Sequence, residues 1–185
     1  GVVTVEQPVI AGFNLIALPD LLRRSDELSD TALSQVEPKQ AEAERGKLSK
    51  SLTQDGQISA ARIQAPLSLA GGIIRAPSVK AENERAIVQA DLQFDLNRFL
   101  WGGSGRLDLV LPQHERNDVT PQLQFTVSGG WQQPQLQFDY QPMVQFLTQR
   151  GLLREQQRVE AAQALIIEKQ RLKREADYYT AKAEA

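Results

Sequence analysis

From residue 56 onward, apolar side chains fall at every second position. Ile63, Ala65, Leu67 and Leu69 alternate with Arg62, Gln64, Pro66 and Ser68, and Ile74 and Ala76 flank Arg75. The clearest run sets Val88, Ala90, Leu92, Phe94 and Leu96 against Gln89, Asp91, Gln93, Asp95 and Asn97. Leu107 and Leu109 then alternate with Arg106 and Asp108, Leu123 and Phe125 with Gln122 and Gln124, and Leu136 and Phe138 with Gln135 and Gln137. A period of two puts one set of side chains on each face of a strand. Gly71-Gly72, Gly102-Gly103-Ser104-Gly105 and Gly129-Gly130 read as turns between such strands. Short linkers favour consecutive antiparallel pairing, and the alternation fits a sheet with one apolar and one wet face. The expected fold class is α+β: a mainly antiparallel sheet of about six to eight short amphipathic strands, a helical N-terminal segment and a long C-terminal helix.

The helical expectations come from the two flanks. Residues 2–9 read as a short strand ending near Pro8. Leu15, Leu18, Leu21 and Leu22 share one helical face, and Pro19 suits the first turn of a short helix over 20–24. Ser29-Asp30 is a candidate cap for a further helix through Val36, with 39–52 as its continuation beyond Pro38. The stretch 25–54 is thin in apolar residues, and predicts a solvated surface helix or a mobile insertion. After Pro142 the period is again helical, with Val144, Leu147, Leu152, Val159 and Ile166 as its stripe, Gly151 as a point of bend or break, and a last two turns that fray or continue. The expected organisation is a β-rich module over 1–140, with the insertion at about 25–54, and a helical extension over 141–185.

Composition narrows the chemistry. The chain has 185 residues, 41% apolar and 24% charged, with a net charge of −2. That supports a core and gives no pull toward nucleic acid; aromatics at 6% are too few for base-stacking platforms. There is no cysteine, so disulfides, thiolate metal sites and cysteine nucleophiles are excluded together. The sole histidine, His114, sits in a polar run and reads as a solvated loop residue. Ser104 lacks the spacing of a nucleophile elbow. Asp91, Asp95, Asp108 and Asp139 are explained as the polar side of alternating strands. The cluster Lys169, Arg171, Lys173 and Arg174 is flanked by Glu168 and Glu175, which suits a solvated helix face better than a lipid-binding polybasic patch. No enzymatic activity, metal or cofactor is expected. No apolar run approaches the ~20 residues of a membrane span. The opening Gly1-Val2-Val3-Thr4-Val5 reads as mid-strand without an initiating Met, so the chain is expected to be a piece of a longer protein.

Three stretches carry a family resemblance: residues 52–63 with the following Ser68-Leu-Ala-Gly-Gly72, residues 90–96 leading to Gly105-Arg-Leu-Asp-Leu-Val-Leu111, and Val127-Ser-Gly-Gly-Trp131 followed by Pro134-Gln-Leu-Gln-Phe138. Together they resemble the C-terminal domain of AsmA-like proteins, over roughly residues 2–140. The segment 25–54 has no counterpart in that resemblance. It implies a periplasmic module of a bacterial envelope protein, anchored to the inner membrane through a segment outside this chain. It also implies a part in outer-membrane assembly and phospholipid movement between membranes, a curved sheet with an apolar interior, and no catalytic residue.

The residues expected to form the apolar face are Val88, Leu92, Phe94, Leu96, Leu107, Leu109, Leu123 and Phe125. Two uses of that face stay open: a track for phospholipid tails, or a core sealed by the chain's own helices. In the second case the protein is a structural or interaction module, and its C-terminal helix, with Leu152, Val159 and Ile166 seven residues apart, docks other envelope proteins or a second copy.

Overall fold

The computed structural model describes residues 1–35, 37–54, 56–111 and 120–183, without the side chains of 31–35, 38, 180, 181 and 183. Val36, Asp55 and most of the 112–121 loop, His114 included, lie outside the described residues. Eight strands form one antiparallel sheet: β1 (Val2–Glu6), β4 (Arg62–Pro66), β5 (Ser68–Ala70), β6 (Ile73–Glu82), β7 (Ala86–Asp95), β8 (Leu100–Leu109), β9 (Gln122–Gly130) and β10 (Gln133–Asp139). Their order is β1-β4-β6-β7-β8-β9-β10, with β5 beside the outer half of β6. A separate pair joins β2 (Val9–Ala11) to β3 (Gln57–Ser59). The expected strand over 2–9 is therefore two strands, parted at Gln7, whose φ of 50° turns the chain.

Local chemistry sets the turns. Gly71 and Gly72 both have positive φ (59° and 75°) and close β5 on β6 as a two-residue hairpin. Asp95 Oδ1 accepts the N–H groups of Asn97 and Arg98 at 2.8 and 3.1 Å, shaping the turn from β7 to β8. Asn83 Oδ1 does the same for Arg85 and Ala86, both at 2.9 Å. The β6–β7 register slips between Ala76 and Val79, where Pro77 lacks a donor and Ser78, at φ 54°, gives its N–H to Asp91 Oδ1 at 2.7 Å.

Residues 102–105 are not a turn: they lie inside β8. A Cβ on Gly105 would stand 2.4 Å from Phe125 Cζ and 2.6 Å from the Gln89 carbonyl, so the missing side chain makes room for the Phe125 ring. The reversal falls instead at residues 96–99. The β9–β10 turn likewise sits at 131–132, with Gly129 and Gly130 still in the strand.

Three helices gather at one end of the sheet. A 3₁₀ turn (Leu15–Ala17) runs into α1 (Leu18–Gln35), with Pro19 in its first turn. This is one helix where a short one and a second, newly capped one were expected. Ser29 does not cap: its hydroxyl donates to the Ser25 carbonyl one turn back, at 3.1 Å. Next come α2 (Pro38–Ser49), a 3₁₀ turn (Lys50–Thr53) and α3 (Gln141–Ala183).

The stretch 25–54 is more than a solvated face. Ser25, Asp26, Arg45 and Ser49 are buried there, as are Ala41 and Leu52. Arg45 reaches Ser29 Oγ at 2.9 Å and Thr148 Oγ1 at 3.5 Å, and burial lowers its guanidinium pKa. Among the described residues, the Ser25 hydroxyl and Arg45 Nε have no hydrogen-bond partner. Asp26 binds α3 to α1, accepting from Arg150 Nε and Nη2 at 3.1 Å each and from Arg154. Arg158 reaches Asp30 at 2.7 Å.

Helix α3 runs through Gly151 without a break. A Cβ there would lie 2.4 Å from Ser29 Oγ, so the missing side chain at Gly151 lets α3 approach Ser29 of α1. Met143, Val144, Phe146 and Leu147 are buried, whereas every described side chain after Glu155 is exposed. At about 1.5 Å per residue, the exposed part extends roughly 40 Å beyond its last contact.

The two sheet edges differ. Gly1 and Leu67 exchange both backbone bonds, at 2.8 and 2.7 Å, so the alternation of an antiparallel ladder turns the backbone of Val2, Thr4 and Glu6 outward. At the other edge, the two-residue turn pairs Gln133 with Gly130 and puts Pro134 at an outward backbone position, where it offers no donor.

Candidate functional site

The register assembles the alternating apolar residues into a single face. Ala81, Val88, Leu107 and Leu123 form one cross-strand row near the helices. Ala76, Leu92, Gly103 and Val127 form a row farther out, and Ile74, Phe94, Trp101 and Gly129 the row nearest the opposite end.

The helices cover only the near part of this face. Val88, Leu107, Leu109, Leu123 and Phe125 are buried with Phe13, Leu21, Met143, Phe146 and Leu147 in one core. Phe13 stands edge-on to Phe125 and Phe138, with ring centroids 5.6 Å apart in each case. This part of the expected site is a sealed core.

Among the described residues, no element covers the far part. Leu92, Phe94 and Leu96 open there onto a groove of about 580 Å³, in which Gln93 is the sole polar residue of the described lining. Its floor is built by Ile74, Ala76, Val79 and Leu92; Ala65 of β4 and Leu67, between β4 and β5, line it on one flank. Its outer end is aromatic: Phe94 lies 4.8 Å from Trp101, 5.6 Å from Trp131 and 6.4 Å from Phe99, centroid to centroid. The eight expected residues thus share a face and divide between two environments. Ile74, Phe99, Trp101 and Trp131 were missed as groove residues; the apolar knot Phe99-Leu100-Trp101 beside a turn was the available signal.

The opposite face is polar. Its rows run Lys80–Gln89–Arg106–Gln124–Asp139 and Asp91–Ser104–Thr126–Gln137, around a concavity of about 810 Å³. The four strand carboxylates have structural partners. Asp91 holds Ser78, Asp95 shapes its turn, Asp108 pairs with Arg106 at 3.2 Å, and Asp139 accepts the Gln141 N–H at 2.9 Å where α3 begins. Among the described residues, no group of three or more His, Asp or Glu side chains could hold a metal ion. On α3, Arg171 pairs with Glu168 at 3.1 Å, within an exposed helix. No described helix is long and apolar enough to cross a membrane.

A one-sided apolar channel with an aromatic end and no convergent polar groups can do one thing well: remove hydrocarbon from water. Comparison with protein-family models, with curated proteins and with solved structures finds no match for this chain.

Proposed function

We propose that this chain is a non-catalytic lipid-handling module whose uncovered sheet half carries phospholipid acyl tails. The reading places it in the periplasm, as a section of an inner-membrane-anchored envelope protein of AsmA-like type that serves outer-membrane assembly or intermembrane phospholipid transport. One observation carries it: the apolar face continues past the helices as an open groove with a single polar lining residue. Its volume of about 580 Å³ falls within the roughly 300–1,000 Å³ of small-molecule sites. Each methylene removed from water contributes about 0.8 kcal/mol. About ten methylenes would therefore supply ~8 kcal/mol before ordering costs, which caps the affinity near the micromolar scale. That suits a carrier that must also release its cargo. Headgroup selectivity is not expected, since the groove has no charged lining residue.

The test uses photocrosslinking residues at two positions on the same face. Phospholipid adducts should form at Leu92, in the groove, and not at Phe125, which is 6% exposed in the sealed core. Protein-only adducts at Leu92 would sink the reading.

The exposed half of α3 favours a second, compatible role in association. Leu152, Val159 and Ile166 are 67%, 44% and 57% exposed, which is costly for a helix that stays alone in water. Sedimentation of the chain with and without residues 161–185 tests it. An unchanged monomer in both rules out self-association through the tail.

A further inference from the structure

The strands run up and down, so alternate turns share an end of the sheet. The helices occupy one end. The other carries the turns at 71–72, 96–99 and 131–132. Backbone bonds tie these three together: Leu96 N–H to the Gly72 carbonyl at 2.8 Å, and Trp131 N–H to the Phe99 carbonyl at 2.9 Å. Turns are ordinarily polar. This tip instead exposes Leu69 (66%), Phe99 (60%), Trp131 (58%), Leu100 (43%) and Leu96 (38%).

Phe99 is the most telling of them. It is a bulky residue held at φ 54°, a region such side chains rarely occupy, yet its ring stays mostly in water. Such a backbone carries a strain cost that the exposed ring does not offset by burial within the chain. The tip is also poor in acid: among residues 95–100 and 131–133, Asp95 is the sole carboxylate and its Oδ1 is committed to the turn, while Arg98 is exposed. Phe99, Trp131 and Leu96 line the groove as well, so the groove leaves the sheet through this tip.

We propose that the tip docks on the surface of a lipid bilayer, with Phe99 and Trp131 entering the headgroup–acyl boundary and Arg98 meeting lipid phosphates, so that the groove opens into the leaflet. The inference rests on the lipid-handling reading. A bilayer is the partner that fits because the groove mouth and the apolar tip are continuous: acyl chains could pass from leaflet to groove without crossing water. Tryptophan and other amphipathic or aromatic side chains favour that interfacial depth, and an adjacent cation is drawn to anionic headgroups.

The experiment uses the full chain with Trp101→Phe, which leaves Trp131 as the fluorophore, and vesicles of phosphatidylcholine with and without a minor fraction of phosphatidylglycerol. The protein should float with the vesicles, and brominated acyl chains should quench Trp131. In the chain retaining Trp131, Phe99→Ser should lower the vesicle-bound partition coefficient about tenfold or more, the scale of exposing one buried aromatic. Arg98→Gln should weaken binding to the phosphatidylglycerol vesicles alone. Leu69→Ser, at a tip residue outside the groove lining, should also weaken vesicle binding and still yield lipid adducts at Leu92 when phospholipid is supplied in detergent micelles.

Failure of the parent chain to bind either vesicle, with Leu92 still labelled from micelles, overturns the docking inference and leaves the lipid reading standing. Absence of label at Leu92 from both sources overturns the lipid reading itself. Self-association that Phe99→Ser abolishes, without vesicle binding, would make the tip a contact between copies and also overturn the inference.

Discussion

Two leucines on one sheet face test the division between sealed core and open groove. Leu123 is fully buried beneath α3 and the N-terminal helix, whereas Leu92 is half-buried on the groove floor. Leu123→Ala removes buried methyl groups and leaves a cavity that the surrounding core fills only in part; such changes cost 2–5 kcal/mol, and about 3 kcal/mol is expected here. Leu92→Ala leaves no enclosed cavity, because its side chain already borders solvent-accessible space. Only part of its transfer term is lost, about 1 kcal/mol. For a chain of this size each kcal/mol shifts Tm by about 2–4 °C, so the two variants should differ from the parent by about 6–12 °C and 2–4 °C. Thermal and urea unfolding followed by circular dichroism measure both. Equal losses at the two positions would refute the reasoning, since they would mean that the groove half is covered in solution. Leu92→Gln extends the test: it should cost little stability and sharply reduce phospholipid capture.

The helical cap makes three further predictions. Asp26→Asn weakens a carboxylate that serves both Arg150 and Arg154, at side-chain exposures of 12%, 11% and 45%; a loss of about 3 kcal/mol in urea unfolding is expected, the low end for a buried pair because Arg154 can turn to water. Gly151→Leu forces a side chain into Ser29, and should cost at least about 2 kcal/mol and shift the packing of α3 on α1, read by hydrogen exchange across residues 141–158. Ending the chain after Glu160 should move Tm by less than about 2 °C, because every described side chain removed is exposed; ending it at Pro142 should prevent folding, since Met143, Phe146 and Leu147 are core.

Much of the sheet was legible because its signal is local. The alternation at 88–96 and 123–127 fixes which side chains share a face, and the register keeps them together. The glycines at 102–105 misled for the same reason. Four small residues in a row look like a turn to any local rule, and only the cross-strand neighbour Phe125 explains why β8 needs Gly105. Residues 25–54 were hard to place because their burial depends on pairs distant in sequence, such as Arg45 with Thr148 and Asp26 with Arg150. The extent of the groove was not legible at all. It depends on where α3 and the N-terminal helices stop along the sheet, which no strand residue encodes.

The unequal edges of the sheet give it a direction of growth. Along β1, a Val-Val-Thr-Val-Glu strand turns the donors and acceptors of Val2, Thr4 and Glu6 outward with no proline among them, so an incoming antiparallel strand would meet an unbroken ladder. Its alternate side chains would fall beside Val3 and Val5, on the groove side, and each added strand would widen the apolar floor by about 4.8 Å. The same addition at β10 meets Pro134, where a rung of the ladder is missing. Lengthened at its β1 margin, the sheet would widen a pocket-sized groove into a longer apolar trough, whereas a strand added at β10 would lack the bond that Pro134 cannot donate.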